Sequence, residues 1–224
     1  MAGPVLPIIT LPLPRRPLEV SDQVRRWYEN ELGWATVPAS PGDPGMRIRL
    51  RVGVRFDVLD VPAEAGLVGL RRLGPDSPVA LRGERMRLLV AAGSADEMPG
   101  LLDWLEWGSL PLDMVAVGAG GTMEAPLPPG AVPPGAPVSP GPGTAGTRPL
   151  PPDPVTDPVT PLQGAAVWLR PPVPGCEVEA SLPTLSAMGG DGSAPDLVRL
   201  VDTMATQCHR IRLRRGCAQP SAFS

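Results

Sequence analysis

Hydrophobic and polar residues alternate strictly between Arg47 and Val52. Arg47, Arg49 and Arg51 fall on one face of an extended chain, and Ile48, Leu50 and Val52 on the other. That is the period of a half-buried strand. After Gly53 the run becomes almost wholly apolar as far as Val61, the pattern of a central strand covered on both faces. Pro62 ends it. Arg47 to Val61 is therefore the expected central strand, and it closes on two acids, Asp57 and Asp60.

The same patterning predicts the remaining elements. Ser21 is the expected N-cap of a first helix, with Asp22 in its first turn, Val24, Trp27, Tyr28 and Leu32 at helical spacing and Gly33 at its end. Trp34 to Pro38 reads as a short strand, and Pro41 to Gly45 as a turn. Pro62 suits the first turn of a helix from Ala63 to Leu73, with Leu67, Leu70 and Leu73 on its apolar face. Val79 to Leu81 and Met86 to Ala91 form a hairpin around Arg82-Gly83-Glu84. Ser94-Ala95-Asp96-Glu97 matches a capping box and opens a helix through Leu101, Leu102, Leu105 and Trp107, stopped by Gly108. Leu112 to Val117 and Thr122 to Ala125 read as a second hairpin across Gly118, Gly120 and Gly121. After a strand at Ala165 to Arg170 and a loose stretch over 171–192, an amphipathic helix runs from Pro195 to Arg215. Leu197, Leu200, Val201, Met204, Cys208 and Ile211 form its stripe, and Arg210, Arg212, Arg214 and Arg215 lie toward its C-terminus, where cations suit the helix dipole.

The order implies an α+β fold: a single domain with a mixed, mostly antiparallel sheet of about five to seven strands flanked by helices, plus the C-terminal amphipathic helix. Residues 20–125 and 163–216 make up this domain. Residues 1–19 are a proline-punctuated arm, and 217–224 a tail. Residues 126–162 lack periodicity and are rich in proline and glycine, as in a disordered or polyproline-type insert. The repeated DPVT at 153–156 and 157–160 is a local duplication within it.

With 33 prolines and 26 glycines among 224 residues, part of the chain must be linker. The net charge of −3 provides no global attraction to nucleic acid or membrane. All 20 basic residues are arginine, which excludes a lysine Schiff base and a P-loop lysine. One histidine, His209, cannot build a two-histidine zinc site. Cys176, Cys208 and Cys217 lack CxxC spacing and are odd in number, which reads as reduced thiols in a cytoplasmic protein. The N-terminal apolar stretch is broken by prolines and followed by its arginines, unlike a signal peptide. No apolar run is long enough for a membrane span.

Several short motifs, in order, resemble the bifunctional DNA primase/polymerase (Prim-Pol) domain family of the archaeo-eukaryotic primase superfamily. Gly33-Trp34-Ala35-Thr36-Val37-Pro38 is similar to its G-x-x-V-x-P strand. Gly53 to Val61 resembles its central strand, and Ala65 to Leu70 the G-x-x-x-L helix that follows. Leu112-Asp113-Met114 with Gly120 to Pro126 resembles its strand, glycine turn and APP strand, and Trp168-Leu169-Arg170-Pro171-Pro172 its closing W-x-x-P piece. The resemblance covers most of 21–175. It implies a Prim-Pol or RRM-like core and, in an active member, template-directed nucleotidyl transfer in DNA replication with two Mg²⁺ or Mn²⁺ ions. Such a pair is held roughly 4 Å apart by carboxylates on one face.

Under that resemblance Asp60 and Asp113 are the catalytic and metal-binding candidates, with Asp57 a third metal candidate. The motif departs from the family where its chemistry lies. Alignment on Asp60 puts Pro62 where a second acid belongs, and Asp57, three residues away, faces the opposite side of a regular strand. Met86 or Arg87 stands where the family has a histidine, and Val115 replaces a basic residue.

The acids also have structural readings: capping the turn at Pro62, or pairing with an arginine such as Arg55. Arg47, Arg49 and Arg51 suit either a phosphate-binding groove or a solvated sheet face. Trp27, Trp34, Trp104 and Trp107 suit either base stacking or the core. Cys208 and His209 are neighbours that could share a metal or simply sit on a helix face. The insert suits either an aromatic groove or a tolerated loop.

Two function classes follow. One is a catalytically degenerate primase/polymerase-like domain, a non-enzymatic interaction or regulatory module that needs no cofactor and has a protein partner. The other is an active nucleotidyltransferase or a non-catalytic nucleotide- or nucleic-acid-binding domain.

Overall fold

A computed structural model describes residues 20–37, 47–131, 165–185 and 195–218. The arm, the turn at 41–45 and most of the insert, with its DPVT repeat, lie outside the described residues.

In chain order, helix α1 (Val20–Arg26) runs on into a π-turn over Trp27–Glu31. Strands β1 (Thr36–Val37), β2 (Arg49–Arg51) and β3 (Phe56–Pro62) follow. Helix α2 (Ala63–Gly69) tightens into a 3₁₀ turn at Leu70–Arg72. Next come β4 (Val79–Arg82), β5 (Arg85–Ala91) and helix α3 (Ser94–Trp104). The chain continues with β6 (Val115–Val117), β7 (Thr122–Glu124) and β8 (Val167–Arg170). A 3₁₀ turn at Val178–Ser181 precedes helix α4 (Leu197–Ala218).

This is an α+β fold with antiparallel sheets and a C-terminal helix. The strands form two sheets, a five-stranded one in the order β6-β3-β5-β4-β8 and a three-stranded one in the order β1-β2-β7. β3, at the centre of the larger sheet, is buried along nearly all its length. Its alternation supplies two cores. Leu59 and Val61 face α2, α3 and α4 with Met86, Leu88 and Val90 of β5. Phe56 and Val58 face the other way, onto α1, the small sheet and an aromatic group of Tyr28, Trp34 and Trp168. The α4 stripe of Leu197, Leu200, Val201, Met204, Cys208 and Ile211 is buried throughout. Asp196 caps that helix, accepting the N–H of Val198 at 2.9 Å.

Several expected elements differ in detail. The central strand breaks at Gly53, whose φ of +88° turns the chain between sheets, so β2 and β3 belong to different layers. The glycine turn after β6 crosses between layers in the same way. β6 and β7 do not pair: β6 joins β3 and β7 joins β2. Ser94 is the first residue of α3 rather than its cap. On α2, Leu67 is 57% exposed, and the buried surface is Ala65, Gly66 and Gly69. A Cβ on Gly66 would meet Met86 and one on Gly69 would meet Met204, so small residues here let α2 approach both sheet and helix. At the start of the insert, Pro126 accepts a hydrogen bond from Tyr28 and Leu127 bridges Val167. No helix among the described residues is long and apolar enough to cross a membrane.

Candidate functional site

The acids at the end of β3 separate onto its two faces. Asp57 points to the helix layer, is 1% exposed and accepts the N–H of Ala95 at 2.8 Å in the first turn of α3. Its other oxygen, Oδ1, is buried with no hydrogen-bond partner among the described residues. Burial pushes its carboxyl above the usual range, and the adjacent charge of Asp96 adds to this. The backbone N–H groups of Ala95 and Gly93 act against it.

Asp60 points to the opposite face, where the β3–β5 register places Arg87 directly across and Arg85 diagonally. Asp60 Oδ1 accepts Arg85 Nε at 2.6 Å, and Oδ2 accepts Arg87 Nε at 3.0 Å. Arg85 Nη2 also donates to the Asp60 carbonyl at 3.0 Å. Asp113, in the loop before β6, accepts the same guanidinium through Nη1 at 2.5 Å. Arg85 thus bridges the two carboxylates. Burial works against its charge, but the bonds to Asp60 and Asp113 outweigh this and hold its pKa above the ordinary arginine value. From α4, Arg215 approaches Asp113 at 3.8 Å, and Arg212 donates to the Pro111 carbonyl at 2.6 Å. Arg214 pairs with Glu64. The basic end of α4 therefore fastens the helix to α2 and to the loop that carries Asp113.

Would this cluster hold a divalent ion? Two-metal chemistry needs several free carboxylate oxygens converging on one side. Asp60 has both side-chain oxygens engaged by arginine, Pro62 supplies none, and Asp57 lies across the sheet. Arg85 fills the position between Asp60 and Asp113 that a cation would take. Met86, one candidate for the family histidine position, is buried in the helix-side core, and Arg87, the other, is a cation. Among the described residues no group of three or more His, Cys, Asp or Glu is arranged to hold a metal ion. Asp57, Asp60 and Asp113, as they are placed, do not fit a two-metal centre.

Comparison with protein-family models, with curated proteins and with solved structures finds no match. What the site can do therefore rests on its own residues.

Beyond the acid cluster, further arginines lie on both sheets. On the outer face of the small sheet, Arg49 and Arg51 are exposed, with Leu50 buried between them. Glu124 stands across from Arg49 and binds Arg47 at 2.8 Å and Arg82 of β4 at 2.9 Å, tying the sheets together. Arg82 is in turn opposite Arg85. The sequence pattern finds Arg49 and Arg51. It misses the ion-pairing role of Arg82, Arg85 and Arg87; the signal for the last two is the Arg85-Met86-Arg87 alternation in the strand beside Asp60.

The remaining candidates take structural places. Arg55 pairs with Glu179 at 2.7 Å, not with either strand acid. Trp34 is buried, and Trp27 and Trp168 pack against the same aromatic core. Trp104 does not fill the core; it is 72% exposed at the end of α3. Trp107 donates to Asp202 at 3.0 Å and lies beside His209. Cys208 is buried while its neighbour His209 turns toward Trp107, so the two do not share a site.

Proposed function

We propose that this chain is a primase/polymerase-like domain that performs no nucleotidyl transfer and acts as an interaction or regulatory module with a protein partner. The observation that carries this reading is Arg85 between Asp60 and Asp113. A metal ion entering there would have to displace a guanidinium held by both carboxylates, and it would gain no third acid on that face. A fixed cation at this position neutralises the carboxylates but cannot lower the pKa of a bound hydroxyl or activate an attacking oxygen. The charge that would have held metals is spent on holding β3, β5 and the 111–113 loop together. Within this reading the domain belongs to DNA replication as a binding component, in the cytoplasm, where its three free cysteines remain reduced.

Calorimetric titration of Mn²⁺ with a deoxynucleoside triphosphate tests this. Neither the wild-type chain nor Asp60→Ala should give a binding isotherm. Metal-dependent nucleotide binding by the wild type, abolished in Asp60→Ala, would overturn the reading, and primer extension would be tested next.

A further inference from the structure

The outer face of the three-stranded sheet is charged on a chain that is acidic overall. Arg49 and Arg51 are exposed and have no ion-pair partner among the described residues. Side chains two apart on a strand repeat at about 6.6 Å, which is also the same-face repeat of an extended peptide. An acid-x-acid segment laid along this face therefore meets both guanidinium groups at once, and carboxylate matches their fork geometry.

The surroundings distinguish a peptide from a nucleic acid. Single-stranded nucleic acid is gripped by stacking on aromatic side chains as much as by charge. Here Trp34 and Tyr28 are buried, Trp27 and Trp168 pack against them, and Trp104 and Trp107 belong to α3 and its end. Beside these two arginines, Glu124 stands directly across from Arg49. A phosphodiester chain, charged at every repeat, would press against that acid. A peptide can place acids opposite Arg49 and Arg51 and uncharged residues elsewhere.

We propose that this face, centred on Arg49 and Arg51, docks an extended acidic segment of a partner protein with acids at alternate positions. The inference rests on the non-enzymatic reading above and names the chemistry of the partner.

Fluorescence anisotropy of a short labelled peptide alternating glutamate and serine tests it, with a glutamine–serine peptide and oligo(dT) as competing probes. The glutamate peptide should bind at low salt and be released as salt rises. Arg49→Glu/Arg51→Glu should weaken it at least about tenfold, whereas Arg25→Glu/Arg26→Glu on α1 should leave it within about twofold. Circular dichroism and the urea midpoint confirm that each variant folds. No binding at low salt, or equal weakening by both double variants, would overturn the proposal. So would tighter binding of oligo(dT) that the Arg49/Arg51 variant abolishes, which would assign the face to nucleic acid. A flat peptide titration removes this face and leaves the non-enzymatic reading standing. Metal-dependent nucleotide binding removes that reading and leaves the face to be decided by the peptide.

Discussion

Arg85 Nε lies 2.6 Å from Asp60 Oδ1, and its Nη1 lies 2.5 Å from Asp113 Oδ1, so one guanidinium ties the central strand to the loop before β6. Asp60 is the more enclosed carboxylate, and removing Arg85 strips its Oδ1 of a partner and leaves only Arg87 to offset its charge. Arg85→Ala should therefore destabilise the fold by about 1–3 kcal/mol in urea unfolding. It should also create a feature that the wild type lacks. With the guanidinium gone, Asp60 and Asp113 face one vacated position, and Mn²⁺ should raise the melting temperature of Arg85→Ala but not that of the wild type or of Arg85→Ala/Asp60→Asn. An equal Mn²⁺ effect on all three would show that Arg85 does not stand in a cation's place.

Asp57 makes the opposite prediction, because its burial is poorly compensated. Its folded pKa is raised above the unfolded value of about 3.9, so the folded state holds the proton more tightly. Below the unfolded value the carboxyl is neutral in both states and carries no penalty. As pH rises through the window up to the raised folded value, ionisation costs the folded state, and the penalty is complete above it. Asp57→Asn keeps an acceptor for the Ala95 N–H and discards the charge. It should be more stable than wild type at neutral pH by about 1 kcal/mol, and this advantage should shrink as the solution is acidified. Asp57→Ala should lose the cap of α3 and be less stable than Asp57→Asn at every pH. Urea unfolding across pH checks both.

These two aspartates also show how far the sequence could be read. The arginine–aliphatic alternation at 47–52 gives β2 and its exposed face directly, since period two is a local property. The α4 stripe is as plain, because a 3.6-residue period sustained over a long helix leaves little ambiguity. Opposite faces for Asp57 and Asp60 follow from their three-residue separation. What could not be read is non-local. Ser94 offers a local capping box, yet α3 is capped by Asp57, 38 residues away. The 118–121 turn has the composition of a hairpin but passes from one sheet to the other, because hairpin signals do not say which sheet the next strand joins. Arg55 is the arginine nearest to the acids in sequence, and Arg85 takes that role only through the β3–β5 register.

Gly53 is where the chain leaves one sheet for the other, and two constraints coincide there. Its φ is +88°, and an added Cβ would lie 2.2 Å from the Ala119 Cα. The obstacle is backbone, which cannot swing aside like a flexible side chain. Gly83, in the β4–β5 turn, has a φ of +56° with nothing within 4 Å of the same point. Gly83→Ala should therefore cost only the conformational term, about 1 kcal/mol. Gly53→Ala should cost several times as much, or prevent folding. Unfolding midpoints of the pair measure the difference, and equal costs would mean that β2 and the 118–121 turn do not pack as described.

Tyr28 closes the aromatic core by making two hydrogen bonds at one oxygen. It donates to the Pro126 carbonyl at 2.7 Å and accepts Trp168 Nε1 at 2.9 Å. Burial drives its phenol well above the ordinary tyrosine range, partly offset by the Trp168 bond, so it stays protonated throughout the physiological range. Tyr28→Phe retains the ring but strands a buried carbonyl and an indole N–H. The expected loss is about 1–3 kcal/mol, with a change in tryptophan fluorescence as Trp168 loses its partner.

Cys208 allows a check of the helix layer by chemistry alone. It lies on the buried face of α4, its Sγ directed at the Asp113 carbonyl at 3.6 Å, whereas Cys176 and Cys217 are exposed. Burial pushes its thiol up to about 11, and the nearby Asp113 charge adds to this, with Arg85 acting in the other direction. Because the thiolate is the reactive form, Cys208 is protected twice, by access and by protonation. A thiol-specific disulfide reagent at neutral pH should titrate two thiols per native chain quickly, and the third only on unfolding. Arg85→Ala should speed that third reaction by loosening the 111–113 loop and admitting solvent to α4. If all three thiols react at one rate in the native protein, the apolar face of α4 that carries Cys208 is not packed against the sheet.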